Sequence, residues 1–161
     1  MKTLRVSIKD KHAKALDVMA CEFNLVWNFV NELSYKHLQR TGKFFSAYDI
    51  AKYTAGASRE GLKIHSRTVQ GVTEEYVNRR KQFKKGKLRW RVSRGNRKSL
   101  GWVPFKAGAV TDKSGQLRYA GQFLGVWDSY GLADYKLHSG SFSQDARGRW
   151  YAKLAAGMPT F

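Results

Sequence analysis

The chain opens on a strict alternation. Residues 3–9 (TLRVSIK) set Leu4, Val6 and Ile8 on one side and Arg5, Ser7 and Lys9 on the other, the period-two pattern of a half-buried strand. Asp10 is placed to cap the next element. From about Lys11 to Thr41 the apolar residues Leu16, Met19, Phe23, Trp27, Val30 and Leu33 recur at three- and four-residue steps, which predicts a helix of roughly 45 Å at 1.5 Å per residue. Gly42 is its natural stop. Asn24, Asn28 and Asn31 flank the apolar stripe, and the pattern leaves open whether they pack or bond to backbone. Ser46 and Asp49 have capping-box spacing ahead of a short helix over about Ala47–Tyr53. Thr54–Lys63, with Gly56 and Gly61, reads as a loop. A third helix starts at Ser66, its N-cap, and carries Val69, Val72, Tyr76 and Phe83 as one stripe. Glu74 and Glu75 are read as early in this helix and its cations as late, which suits its dipole.

After residue 100 the period becomes two. Trp102, Val103 and Phe105 form a strand that Pro104 restricts to a sheet edge. Ala109–Thr111 and Leu117–Tyr119 flank a hairpin turn at Asp112–Gly115, and Phe123–Trp127 is a further strand. Tyr135–Phe142 and Trp150–Leu154 flank a second hairpin at Asp145–Gly148. Ala155–Phe161 has no readable period. The first strand needs a partner, and the other strands all lie beyond residue 100. The expected fold is therefore α+β: a small split β-barrel from residues 1–10 and 101–157, interrupted by a helical insertion over 11–100. A short helix, a loop and a longer helix are similar to a helix-turn-helix, although the loop exceeds the usual three or four residues.

Charge changes the picture most. Among 161 residues, 30 Lys and Arg face 12 Asp and Glu, a formal net charge of +18. The cations concentrate in Ser66–Lys98, around which the rest is organised. Arg79, Arg80, Lys81, Lys84, Lys85, Lys87, Arg89, Arg91, Arg94, Arg97 and Lys98 come with no acidic residue among them. Such a block repels itself unless a polyanion neutralises it. Trp90 lies within it and Trp102 just beyond. Guanidinium planes and indoles are the groups that stack on unpaired bases. This composition favours nucleic-acid contact over a solvated basic linker. An anionic membrane is the rival polyanion, but no long apolar run supports it. The N-terminus lacks the apolar core of a signal peptide, so a cytoplasmic, nucleoid-associated protein is expected.

The chemistry of catalysis is not visible. Cys21 is the single cysteine and reads as core. His12, His37, His65 and His138 are isolated, without HExxH or His/Cys zinc spacing. The carboxylates are scattered over caps, turns and helix surfaces and form no two-metal cluster. Walker A and GxSxG motifs are absent. No catalytic residue, metal or cofactor is expected.

The segments LRVSIKDKHAKALDVMACEFNLVWNFVNEL, FSAYDI, HSRTVQGVTEEYVNRRKQFKK, LGWVPFK and SGSFSQDARGRWYAKL, in that order, cover roughly residues 3–154. Together they resemble the N-terminal half of TnpB (also called OrfB), the transposon-associated family of RNA-guided nucleases related to type V CRISPR effectors. The resemblance implies an OB-like wedge barrel interrupted by a helical recognition domain. These parts would hold a guide RNA and read a short target-adjacent motif in double-stranded DNA. By motif, it places Ser46, Ala47 and Tyr48 near that DNA, with Ser66, Arg67 and Gln70 on the helix that meets it. Phe105 and Lys106 would lie beside it. Gln can pair bidentately with adenine and Arg with guanine.

The resemblance also has a limit. In the family, the strand equivalent to Trp150–Leu154 leads into a RuvC-like nuclease with an Asp-bearing Gly-rich strand, further carboxylates and a four-Cys zinc module. Those segments are not in this sequence, so cleavage is not carried over. The expectation is a truncated, transposase-like product that binds guide RNA and DNA, with a separately encoded nuclease half as a further candidate partner. The alternative expectation is an RNA-independent, sequence-specific DNA-binding regulator, for which a dimer and a palindromic site would be the signs.

Overall fold

The computed structural model describes residues 2–54, 66–83, 87–96, 98–119, 121–128 and 130–157, with backbone alone at 54, 66–69 and 83. Its elements are β1 (Lys2–Ile8), α1 (Ala13–Thr41), α2 (Ala47–Thr54), α3 (Ser66–Phe83), β2 (Trp102–Phe105), β3 (Val110–Lys113), β4 (Gln116–Tyr119), β5 (Gln122–Trp127), β6 (Lys136–Gln144) and β7 (Trp150–Gly157). The chain divides into two compact units, Met1–Ala20 with Leu100–Phe161, and Cys21–Ser99.

The first unit is a curled, wholly antiparallel seven-stranded sheet of order β2-β6-β7-β1-β5-β4-β3. This is the OB-like split barrel of an α+β fold, with the helical insertion entering after β1. β1 lies inside the sheet between β7 and β5, so the first strand does find its partners beyond residue 100. Pro104 sits on β2 at the sheet edge, where its missing N–H costs no interior ladder bond. The β3–β4 turn is tighter than the four residues expected: Ser114 and Gly115 make it alone, both at positive φ (54° and 80°). β7 runs on to Gly157, past the end of the readable pattern. Ala155, Ala156 and Gly157 are small and offer no hydrophobic contrast.

Curling brings strands distant in sheet order together. Phe105, Tyr119 and Phe142, from β2, β4 and β6, meet with ring centroids 5.0–6.2 Å apart. All three are buried, together with Leu4, Val6 and Ile8 of β1. Removing each such side chain from water contributes about 1.5–3 kcal/mol. The start of α1 adds Leu16, Met19 and Ala20 to the same core, which is why this unit reaches Ala20 rather than stopping at residue 10. Asp17 fixes that turn: its carboxylate accepts from Trp150 Nε1 at 3.1 Å and from Gln144 Nε2 at 3.2 Å.

In the second unit, α2 packs on α3, and the rest of α1 meets α3 through Trp27 and Asn31 at Tyr76 and Ser34 at Arg80. Gly42, at φ 72°, ends α1 as expected. Val72, Thr73, Tyr76, Val77 and Arg80 form the buried face of α3. Glu74 and Glu75 fall in the middle of this helix, not at its positive end, and Glu75 pairs with Arg79 one turn on at 3.0 Å. The loop expected over Thr54–Lys63 lies outside the described residues beyond Thr54.

Candidate nucleic-acid interface

The three asparagines of α1 decide the fate of the basic block. Spaced at i, i+4 and i+7, Asn24, Asn28 and Asn31 share one helix face. Each spends its amide on residues 88–93. Asn31 Nδ2 donates to Leu88 O at 2.7 Å, and its Oδ1 accepts from Leu88 N at 3.0 Å. Asn28 makes the same two-way pair with Arg91, 2.9 Å in each direction. Asn24 donates to Ser93 Oγ at 3.0 Å and accepts from Arg91 Nε at 2.6 Å. Trp27 Nε1 adds a bond to Arg89 O at 3.3 Å. An asparagine carries one donor group and one acceptor, so it can satisfy both backbone groups of a residue as a neighbouring strand would. Segment 88–93 has no regular secondary structure and depends on these amides instead. It lies along α1 as a strap, running opposite to the helix, and then closes on itself where Val92 and Ser99 exchange bonds.

The strap is therefore held in register. Its cations and indoles form a cleft of about 390 Å³ lined by Trp27, Arg79, Lys87, Leu88, Arg89, Trp90, Arg91 and Ser99. Four of the eight lining residues are cations, and none is acidic. Trp90 is 46% exposed, and Lys87 Nζ lies 5.5 Å from its ring centroid. Lys87 is also 3.5 Å from Glu32. Arg91 is less exposed, 5.3 Å from the centre of Phe23. Burial first, and then the nearby Arg79 charge, push its guanidinium down to about 10, so it stays cationic at neutral pH.

Arg80 requires a correction. It was expected among the surface cations, but it is 3% exposed. Its guanidinium donates to Ser34 Oγ at 2.7 Å and to Phe45 O at 2.6 Å, and burial lowers its pKa. The reason is its place on the Val72–Tyr76–Val77 face of α3, which turns inward. Phe45 immediately precedes Ser46, so Arg80 anchors the start of α2. Ser46 is committed to that cap: its hydroxyl accepts from Asp49 N and donates to the Asp49 carboxylate. His37 stacks on Phe45 at 3.5 Å.

The remaining expected contacts are dispersed. Tyr48 stands 73% exposed on α2 with Lys52 Nζ 4.7 Å from its ring, and Gln70 is exposed on α3. Arg94 is exposed in the turn beyond the strap. Lys106 follows β2 and belongs to the barrel unit. The side chains of Ser66, Arg67, Lys84 and Lys85 lie outside the described residues. Structure thus brings together Arg79, Lys87, Arg89 and Arg91, and adds Trp27 and the three asparagines. The spacing of those asparagines was visible in the sequence, but their partners lie about 60 residues away and carry no matching pattern.

Among the described residues, no group of three or more His, Cys, Asp or Glu is placed to hold a metal ion, and no helix is long and apolar enough to cross a membrane. Comparison with protein-family models and with curated proteins finds no match to this chain.

Proposed function

We propose that this chain is a nucleic-acid-binding module, the guide-RNA- and DNA-binding half of a TnpB-like RNA-guided endonuclease. One observation carries the reading: the basic, tryptophan-bearing strap is clamped along α1 by asparagine side chains. A solvated linker has no need of a fixed register. A polyanion grip gains from one, because ordered cations lose less entropy on binding. In this reading Lys87, Arg89 and Arg94 take phosphates and Trp90 stacks on an unpaired base. Target choice comes from guide pairing, while Tyr48 and Gln70 meet the target-adjacent DNA. The exposure of Tyr48 and Gln70 on neighbouring helices equally favours the second reading, an RNA-independent DNA-binding regulator.

The test is to purify the chain from its own cells at moderate salt and sequence the nucleic acid that comes with it. One RNA species from beside the gene supports the first reading. Motif-sharing duplex DNA without RNA supports the second. For strap contacts, log affinity for single strands falls with log salt by about 0.7 per phosphate engaged. A flat response rejects the grip.

A further inference from the structure

The outward face of the sheet carries a second, separate pattern. On β7, β1 and β4, outward positions alternate with the buried core positions, and on β5 the exposed Phe123 and Trp127 stand on either side of the buried run Leu124–Val126. Register places Arg5 opposite Lys153, Ser7 opposite both Tyr151 and Trp127, and Arg118 opposite Phe123. Trp127 is 66% exposed and Phe123 45%. Each of the three rings has a cation close to it. Arg5 lies 3.9 Å from the centre of Tyr151, Lys9 4.9 Å from Trp127 and Arg118 5.9 Å from Phe123. None of these four strands contains an Asp or Glu.

Two features argue against an ordinary solvated face. Lysines often protect sheet edges, but β7, β1, β5 and β4 are interior in the strand order. Arg5 and Lys153 are directly opposed, and like charges at such a pair destabilise a sheet. That cost is removed when an anion bridges them. Exposed aromatic side chains beside cations match both parts of a nucleotide, the base and the phosphate. Trp127 and Tyr151 flank β1, so their strands stand two spacings, about 10 Å, apart.

We propose that this outer sheet face is a platform for single-stranded nucleic acid. Phe123, Trp127 and Tyr151 stack on bases, and Arg5, Lys9, Arg118 and Lys153 hold phosphates. It requires neither the strap nor the family resemblance.

The test uses the full chain and a labelled twelve-nucleotide oligouridine bearing 4-thiouridine, with Arg89→Gln/Trp90→Ala as a background that weakens the strap. In that background, adding Phe123→Ala/Trp127→Ala should cost at least about fivefold in affinity, and photocrosslinks should map to residues 116–127 and 150–154. Lys153→Gln should weaken binding while leaving the melting temperature unchanged or higher, because it relieves the Arg5 opposition. A purely structural role would lower the melting temperature instead. Unchanged affinity with crosslinks confined to 87–99 overturns the platform and leaves the strap reading standing. Tight binding of phosphatidylserine vesicles, lost in the same variants, with no oligonucleotide binding, also overturns it.

Discussion

The barrel and the helical unit are held together by different means. In the barrel, backbone ladders satisfy the polar groups and side chains from alternate positions fill the interior. Phe105 and Phe142 need only be apolar and of the right size. In the helical unit the backbone of 88–93 has no ladder, and side-chain amides replace it. Apolar packing is non-directional and tolerates exchange. An amide pair is directional, and losing one partner leaves buried groups unsatisfied. The first construction specifies a scaffold; the second positions one particular segment and the charges on it.

Four substitutions sharpen this contrast, from the largest expected effect to the smallest. Phe142→Ala should cost about 3–5 kcal/mol of stability, measured by urea unfolding, with strap-dependent affinity of the folded fraction retained. Loss of that affinity in proportion to packing would erase the distinction. Asn31→Ala removes the acceptor of Leu88 N and of the Tyr76 hydroxyl (2.8 Å) and the donor to Leu88 O. It should cost about 2–3 kcal/mol and accelerate hydrogen exchange at 88–91 while β1 and β7 stay protected. Equal acceleration in both units would mean that the strap is not separately held.

Gln70→Ala acts on recognition, not on either construction. It should cost roughly 1–3 kcal/mol at one base position and leave the other positions unchanged, read from binding to a randomised duplex library. Uniform weakening would assign Gln70 to the backbone. The smallest effect belongs to a polar tie within the barrel unit. His12 Nε2 accepts from Gly125 N at 2.9 Å, which requires a neutral ring, and burial followed by the charges of Lys11 and Lys9 lowers its pKa from 6.5. The unfolded chain therefore binds more protons between the lowered value and 6.5. Stability is full above pH 6.5 and falls as pH drops through the folded value. The urea midpoint should decline modestly on acidification, and His12→Gln should flatten that slope.

Most of the barrel was legible beforehand because a strand reports its burial every second residue. β1 and β5 appeared within a residue or two, and Pro104 marked the edge. The end of β7 did not, since Ala155–Gly157 lack contrast. The helices were equally plain in extent, with α1 stopping at Thr41, just before Gly42. The site was legible only in composition. Arg80 looked like one more surface cation until the orientation of α3 turned it onto Ser34 and Phe45.

The sequence by itself determined the α+β order, the pairing of the first strand with strands beyond residue 100, and the concentration of positive charge between Arg79 and Lys98. These come from local periodicity and from counting. Tertiary structure alone decided which cations face outward, that Asn24, Asn28 and Asn31 hold the basic segment, and that Arg5 and Lys153 stand opposed on the sheet. Each joins residues far apart in the chain by directional bonds or strand register, and neither leaves a periodic trace in the amino acids that make it.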